Sequence, residues 1–278
     1  RQMCIRDRLK RLQWTNIFEV TKMFFVVKRK TLILALTVLI CFIVSLTCVG
    51  VGDAQVVFFG KSARKVPVYS VETEEKVIAL TFDAAWGADK TKGIIDILNS
   101  YGVKGTFFLV GFWIDKYPEE TKMIAEAGFD IGNHSQNHYN MSKLSKDDVV
   151  YEIESVNEQI KNLTGKTPKY FRPPFGDYNN TLLEVVEDKG MVGVQWTIDT
   201  LDWKGLSGAQ IAERVLPKAK GGDIVLFHNN SDHVLDALPL VLEGLLNKGF
   251  KIVTLSELVM TENYKIDVNG VQHKDSAS

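Results

Sequence analysis

The chain has 278 residues, of which 45% are hydrophobic and 24% charged, enough for one large core or two small ones. Its formal net charge of −1 provides no basic surface of the kind that binds nucleic acid. All three cysteines lie within the first 48 residues, so the rest of the chain has neither a disulfide framework nor a cysteine-based metal site. We therefore expect no nucleic-acid partner, and any metal ion must be held by histidine and carboxylate side chains.

The N-terminal region is typical of a targeting segment. Residues 31–52 carry no charged side chain, and about 20 apolar residues can span a bilayer as one helix. The basic residues 28–30 just before it predict that residues 1–30 stay on the cytoplasmic side. Residues 1–22 have no periodic pattern, and we expect them to be an upstream extension or an artefact. The remainder, reached through a connector at 53–73, is expected outside the cytoplasm, either anchored to the membrane or secreted.

Residues 74–260 alternate between β-rich apolar runs and helical segments. The predicted strands are 77–82, 105–110, 129–132, 169–172, 192–198, 223–227 and 250–255. Such alternation predicts an α/β fold, with a parallel sheet covered by helices. We expect one distorted (β/α) barrel domain, with a doubly wound open sheet as the alternative. The polar residues 261–278 are expected to be a disordered tail.

The clearest predicted helix covers residues 145–164. Val149, Ile153 and Val156 recur there at helical spacing. Ser145 is suited to the N-cap and Gly165 to the C-terminal end of this helix.

Reactive side chains follow the predicted strands. They are Asp83, His134, His138, Arg172, Asp199, Asp202 and His228. Because the carboxyl ends of parallel strands meet at one mouth, these side chains are expected to converge. A single aspartate there is often only a helix cap, and a His-x-x-x-His pair is often a coincidence. Three of the five histidines at one mouth nevertheless predict a metal or acid–base site.

Five segments resemble the motifs of the NodB-like polysaccharide deacetylases (carbohydrate esterase family 4), in the same order. They are Thr-Phe-Asp at 81–83, His-Ser-Gln-Asn-His at 134–138, Arg-Pro-Pro-Phe-Gly at 172–176, Asp-Thr-Leu-Asp-Trp at 199–203 and Leu-Phe-His at 226–228. The resemblance covers residues 74–260. It implies a distorted (β/α) barrel that removes acetyl groups from an N-acetylated glycan polymer, here peptidoglycan or spore cortex.

The resemblance also implies roles for the acid–base residues. Asp83 looks like the general base and Arg172 like its partner. His228 looks like the general acid, with Asp202 tuning it. These types suit amide hydrolysis, because a carboxylate beside an arginine stays ionised and a histidine backed by a carboxylate favours the imidazolium form.

The remaining implied roles concern metal and substrate. His134 and His138 look like ligands of a weakly held divalent metal, Zn first, with Co, Ni or Mn as alternatives. The backbone N–H of Phe175 is expected to help hold the oxyanion, and Trp203 to contact substrate. Trp86, Trp113 and Trp203 either stack on sugar rings or pack in the core.

One position departs from the family pattern. Most members have a second aspartate after the base as the third metal ligand, and this chain has Ala84 there. The sequence Phe-Asp-Ala-Ala-Trp-Gly resembles the sporulation-associated PdaB-like subgroup. Losing a ligand should weaken metal binding, so a catalytically weak or inactive glycan-binding relative is one alternative. Another metal-assisted hydrolase, acting on small amides or esters, is a second alternative.

Overall fold

The computed structural model describes residues 33–34, 36–42 and 63–275. Residues 33–34 and 36–42 are helical. Within the described residues, no helix has both the length and the apolar character needed to cross a membrane. Residues 1–30, most of the predicted segment 31–52 and residues 53–62 of the predicted connector 53–73 lie outside the described residues.

Eleven strands form one sheet in the described part of the chain. In chain order they are β1 (Ser70–Val71), β2 (Val77–Ala84), β3 (Thr106–Leu109), β4 (Asp130–Asn133), β5 (Tyr170–Phe171), β6 (Val192–Gly193), β7 (Ile198–Asp199), β8 (Asp223–His228), β9 (Lys251–Val253), β10 (Tyr264–Ile266) and β11 (Val271–Lys274).

From residue 63 onward, eight α-helices connect and cover these strands. They are α1 (Thr91–Ser100), α2 (Gly111–Lys116), α3 (Pro118–Glu126), α4 (Lys146–Thr164), α5 (Asn180–Asp188), α6 (Gly208–Val215), α7 (Val234–Asn247) and α8 (Leu255–Leu258).

The sheet is parallel along the order β8, β2, β3, β4, β5 and β6, and it is curled. Residues 68–71 connect the two ends of this run. Val68 bridges Val194 just after β6, and Ser70 pairs with Asp223 at the start of β8. The α/β class is therefore confirmed, with a sheet curled as a half-barrel.

One predicted strand is wrong. The run 192–198 forms two short strands, β6 and β7, rather than a single one. Between them the Gln195 N–H donates to the Val68 carbonyl at 2.7 Å, and the Thr197 N–H donates to the Ile224 carbonyl at 3.0 Å. The chain thus passes from β5 to β8 within a few residues, and no single strand can pair with both.

The alternation of side chains along β2 separates the hydrophobic core from the cavity. Ile78, Leu80 and Phe82 pack in a cluster that includes buried residues of α1 and α7. Ala79 belongs to a second cluster, and Asp83 lines a cavity at the end of the strand. Successive strand residues point to opposite faces, so the apolar run that buries one face also directs Asp83 to the other.

The helix predicted over 145–164 is confirmed as α4. The Ser145 hydroxyl accepts from the Asp148 N–H at 3.2 Å, and Gly165 ends the helix with a φ of 73°. Only glycine adopts such a left-handed conformation without steric cost, which explains why the helix ends there.

The predicted disordered tail is wrong for residues 264–274. β10 and β11 form an antiparallel hairpin, and β11 pairs with β1. The buried Gln272 side chain bonds both the N–H and the carbonyl of Met260, at 2.9 and 2.7 Å. A polar segment is ordered here because its amides complete the edge of an existing sheet, which composition does not reveal.

We predict that Ser145→Ala lowers the free energy of unfolding by about 1 kcal/mol, because the Asp148 N–H loses its capping acceptor. Chemical denaturation measures the change. Ser155→Ala, at a partly exposed position of the same helix, is the control and should stay within about 0.5 kcal/mol of the natural chain. Equal destabilisation by both variants would contradict a specific role for the cap.

Candidate active site

A cavity of about 510 Å³ lies where β2, β7 and β8 end, beside the loops that follow β4 and β5. Its wall includes Asp83, His134, His138, Phe175, Trp203 and His228. Six of the eight residues to which the family resemblance gives a role in the site therefore line one cavity. The other two, Arg172 and Asp202, are buried directly behind it.

Arg172 fixes the carboxylate of Asp83. The Nη1 atom of this fully buried arginine donates to Asp83 Oδ1 at 2.8 Å and to the Thr81 hydroxyl at 2.8 Å. Its Nη2 atom donates to the Gln195 carbonyl at 3.0 Å. Burial by itself would raise the pKa of Asp83, but the charge and hydrogen bond of the adjacent guanidinium hold that pKa below its usual value. Asp83 is therefore ionised near neutral pH.

Asp202 orients the His228 ring and favours its protonated form. The buried Asp202 carboxylate accepts from His228 Nδ1 at 2.7 Å and from the His228 backbone N–H at 2.8 Å. Burial by itself would lower the pKa of His228, but the hydrogen bond and charge of Asp202, helped by Asp83 and Asp199, raise it above its usual value. The ring is thereby fixed with Nδ1 as a donor, and its Nε2 is left free for chemistry.

His134 and His138 form a pair of neutral imidazoles with ring centres 5.0 Å apart. His134 Nδ1 is 2.7 Å from the Arg172 carbonyl, which only accepts, so Nδ1 carries the proton. Burial lowers the pKa of His134, and burial together with His134 lowers that of His138 to about 4. The lone pair of His134 Nε2 therefore faces Asp83 Oδ2 across 3.5 Å.

These donors fit a divalent metal only in part. A lone pair facing a carboxylate oxygen is favourable when a cation lies near both, and neutral imidazole is a common metal ligand. Within residues 33–34, 36–42 and 63–275, however, no three His, Cys, Asp or Glu side chains group so that they could hold a metal ion. Ala84 supplies no donor, and its buried side chain packs in the same core cluster as Phe82. A metal here would rely on two protein ligands.

Aromatic side chains surround the cavity. Trp86, Trp203 and Phe175 are 56%, 60% and 66% exposed, which is unusual for rings of this size. Phe175 has a φ of 59°, in a short 3₁₀ turn held by the bond from Gln195 Nε2 to the Gly176 carbonyl at 3.1 Å. Trp113 is a core residue rather than part of the mouth, because it is fully buried and donates to the Gly87 carbonyl at 2.7 Å.

Asp199 lines the cavity, and Gln195 lies behind it. Gln195 was not predicted from the sequence. Gln195 is buried and bonds both Arg172, through its carbonyl, and the Phe175 turn, through its side chain. A glutamine inside an apolar predicted strand was the available signal. Asp199 Oδ1 accepts from the Leu201 N–H at 2.8 Å, so it also stabilises the turn that leads to Asp202.

The chain is similar to known proteins of one family. The family described as "Polysaccharide deacetylase" matches residues 70–194. A peptidoglycan-N-acetylglucosamine deacetylase of Bacillus cereus is 36% identical over 188 residues, or 66% of this chain and 68% of that protein. YlxY of Bacillus subtilis is 33% identical over 72% of this chain, and the match spans 62% of YlxY.

Solved structures give the same relationship. Wild-type BA3943 of Bacillus anthracis, described as a CE4 family pseudoenzyme, superposes with a TM-score of 0.68 at 32% identity, over 75% of this chain and 73% of that one. A BA3943 mutant with restored enzymatic activity superposes equally well. The chain belongs to the polysaccharide deacetylase family.

We predict that Asp202→Asn lowers the pKa of His228, because burial then acts without the opposing carboxylate. NMR titration of the His228 ring measures the shift. Because folding raises the pKa of His228, the Asp202–His228 pair contributes its full stabilisation at pH values below the unfolded-state pKa of about 6.5. This stabilisation is lost as the pH rises through the folded-state pKa of His228. The Tm difference between the natural chain and the variant should shrink over the same pH range.

Asp232→Asn, which removes a carboxylate exposed on the neighbouring loop, is the control and should leave the His228 titration unchanged. An unshifted His228 pKa in Asp202→Asn would contradict the assigned coupling.

Proposed function

We propose that this protein hydrolyses N-acetyl groups of a cell-wall glycan, either peptidoglycan or spore cortex. One observation carries the proposal: Asp83 and His228 are register partners on the adjacent strands β2 and β8, and both face one cavity. The surroundings favour an ionised Asp83 and a protonated His228. An ionised base next to a protonated acid is the arrangement that amide hydrolysis needs.

In the proposed reaction, Asp83 removes a proton from a water molecule as that water attacks the acetyl carbonyl carbon. Arg172 keeps the carboxylate ionised and fixes its orientation through Oδ1, leaving Oδ2 to accept the proton. The carbonyl oxygen becomes negatively charged, and the backbone N–H of Phe175 is the proposed donor that stabilises it.

His228 then donates a proton to the sugar nitrogen as the carbon–nitrogen bond breaks, releasing acetate and the free amine. Asp202 holds Nδ1, so Nε2 is the atom that delivers the proton. A divalent metal on His134 and His138, Zn first among the candidates, would polarise the carbonyl and lower the pKa of the attacking water. With only two protein ligands, such an ion is expected to be weakly held.

The proposed substrate is a polymer rather than a small amide or ester. Large exposed rings on several sides of a cavity suit stacking on successive sugar rings, and Trp86 and Trp203 are the proposed platforms. The Bacillus cereus relative is named for action on peptidoglycan. We further propose that the domain works outside the cytoplasm, anchored by or released from its N-terminal segment.

We predict that residues 55–278 release acetate from N-acetylated peptidoglycan when Zn²⁺, Co²⁺, Ni²⁺ or Mn²⁺ is supplied. Asp83→Asn should lower the rate at least about a hundredfold, because it removes the base while keeping the shape of the side chain. Enzymatic quantification of acetate is the measurement. Acetate release no greater than that of Asp83→Asn with every one of these metals would refute the proposal.

A second candidate function is glycan binding without turnover. Two observations favour it: the missing carboxylate at Ala84 and the similarity to BA3943, which is described as a pseudoenzyme. Under this candidate the cavity and its aromatic rim retain the glycan while the metal site stays too weak for turnover. Acetate release by the natural chain separates the two candidates.

We predict that Ala84→Asp raises Zn²⁺ affinity at least about tenfold by supplying a third donor. Because Ala84 is buried in the core, the variant without metal should unfold at a lower temperature than the natural chain, and Zn²⁺ should restore its stability. Calorimetric titration and thermal unfolding measure both effects. Ala212→Asp, at another buried alanine of the same core cluster, is the control: it should lose stability without gaining Zn²⁺ affinity. Equal gains in affinity would contradict a donor role specific to position 84.

A further inference from the structure

The loop that carries His134 and His138 is conformationally strained. Ser135 and His138 have φ values of 68° and 55°, in the left-handed region that non-glycine residues rarely adopt. Such a conformation is energetically unfavourable, and it persists only where the surroundings impose it. Some part of the fold must therefore hold this loop in place.

One side of the loop is held by backbone groups. The N–H groups of Gly111 and Phe112, at the start of α2, donate to the carbonyls of Ser135 and Gln136 at 3.0 and 3.3 Å. Inside the loop, the His138 N–H donates to the Ser135 hydroxyl at 3.0 Å. These bonds fix the first half of the loop and leave Asn137 to be held from elsewhere.

The other side is held by a carboxylate on α4. Glu152 Oε2 accepts from the Asn137 N–H at 2.8 Å, and Oε1 accepts from Asn137 Nδ2 at 2.6 Å. Glu152 is only 2% exposed and lies on the apolar stripe of α4, between Val149 and Val156. A carboxylate is a costly choice for such a position, where an apolar side chain would pack without desolvating a charge.

We propose that Glu152 is a positioning residue for the candidate site: it holds Asn137, and through it sets the backbone conformation and ring placement of His138. The neighbouring turn of α4 contributes in the same direction, because Asn133 Nδ2 donates to the Ile153 carbonyl at 2.8 Å. The link from His138 to turnover rests on the proposed function, whereas the conformational role does not.

The test compares Glu152→Ala, Glu152→Gln and Glu154→Ala in the folded domain by NMR hydrogen exchange. In Glu152→Ala the amides of Asn137 and His138 should exchange at least about tenfold faster, as expected for loss of one or two hydrogen bonds, while the core amides of β3 change less. In Glu152→Gln the side-chain carboxamide of Asn137 can rotate to pair with the new side chain. The backbone amides of Asn137 and His138 should therefore keep most of their protection from exchange. Glu154→Ala, at an exposed position of the same helix, should change neither amide.

The His138 amide decides the outcome, because it does not bond Glu152 directly. The proposal would be overturned if the His138 amide in Glu152→Ala exchanged as slowly as in the natural chain. An equal increase in exchange throughout the core would also overturn it. If the natural chain releases acetate, Glu152→Ala should lower kcat at least about tenfold with KM within about threefold, and Glu152→Gln should recover most of the rate. Absence of acetate release would refute the proposed function, and the exchange measurement would still decide the role of Glu152.

Discussion

The buried guanidinium of Arg172 is the interaction on which the site depends. It joins β2, through Asp83 and Thr81, to the chain just after β6, through the Gln195 carbonyl. It also lies over the Phe108 ring at 4.2 Å. A fully buried cation is tolerated only when it is paired and hydrogen-bonded, and here its partners lie on β2 and just after β6. The base of the proposed reaction is thus oriented by the same contact that stabilises the centre of the domain.

Much of the site could be predicted because it follows from the geometry of parallel strands. Asp83 and His228 end two apolar runs, and parallel pairing of β2 with β8 brings those ends together although the two strands are far apart in the sequence. The strands and α4 were predictable for a related reason, because the spacing of their apolar residues matches the period of a strand or a helix. Features that depend on such local patterns can be predicted from the sequence.

The parts that were not predicted depend on distant partners. The split between β6 and β7 follows from Val68 and Ile224, which are far apart in sequence, and the hairpin at 264–274 follows from an edge supplied by β1. Glu152 was missed for a different reason. It was not among the predicted residues, although its position three residues after Val149 and four before Val156 puts it on the buried face. A charged residue on an apolar stripe is the signal that identifies such positions.

The charges of the site determine how strongly an ion can be held. Asp83 is balanced by Arg172, and the Asp202 carboxylate by His228, so both acid–base pairs are close to neutral without any metal. His134 and His138 add ligands but no charge. A divalent ion would therefore bring its full positive charge into a partly buried site that already contains a guanidinium. In the family pattern the second aspartate offsets part of that charge, whereas Ala84 offsets none. The acid–base geometry and the metal affinity are thus separable properties here, and substitution at one position can alter the second while leaving the first in place.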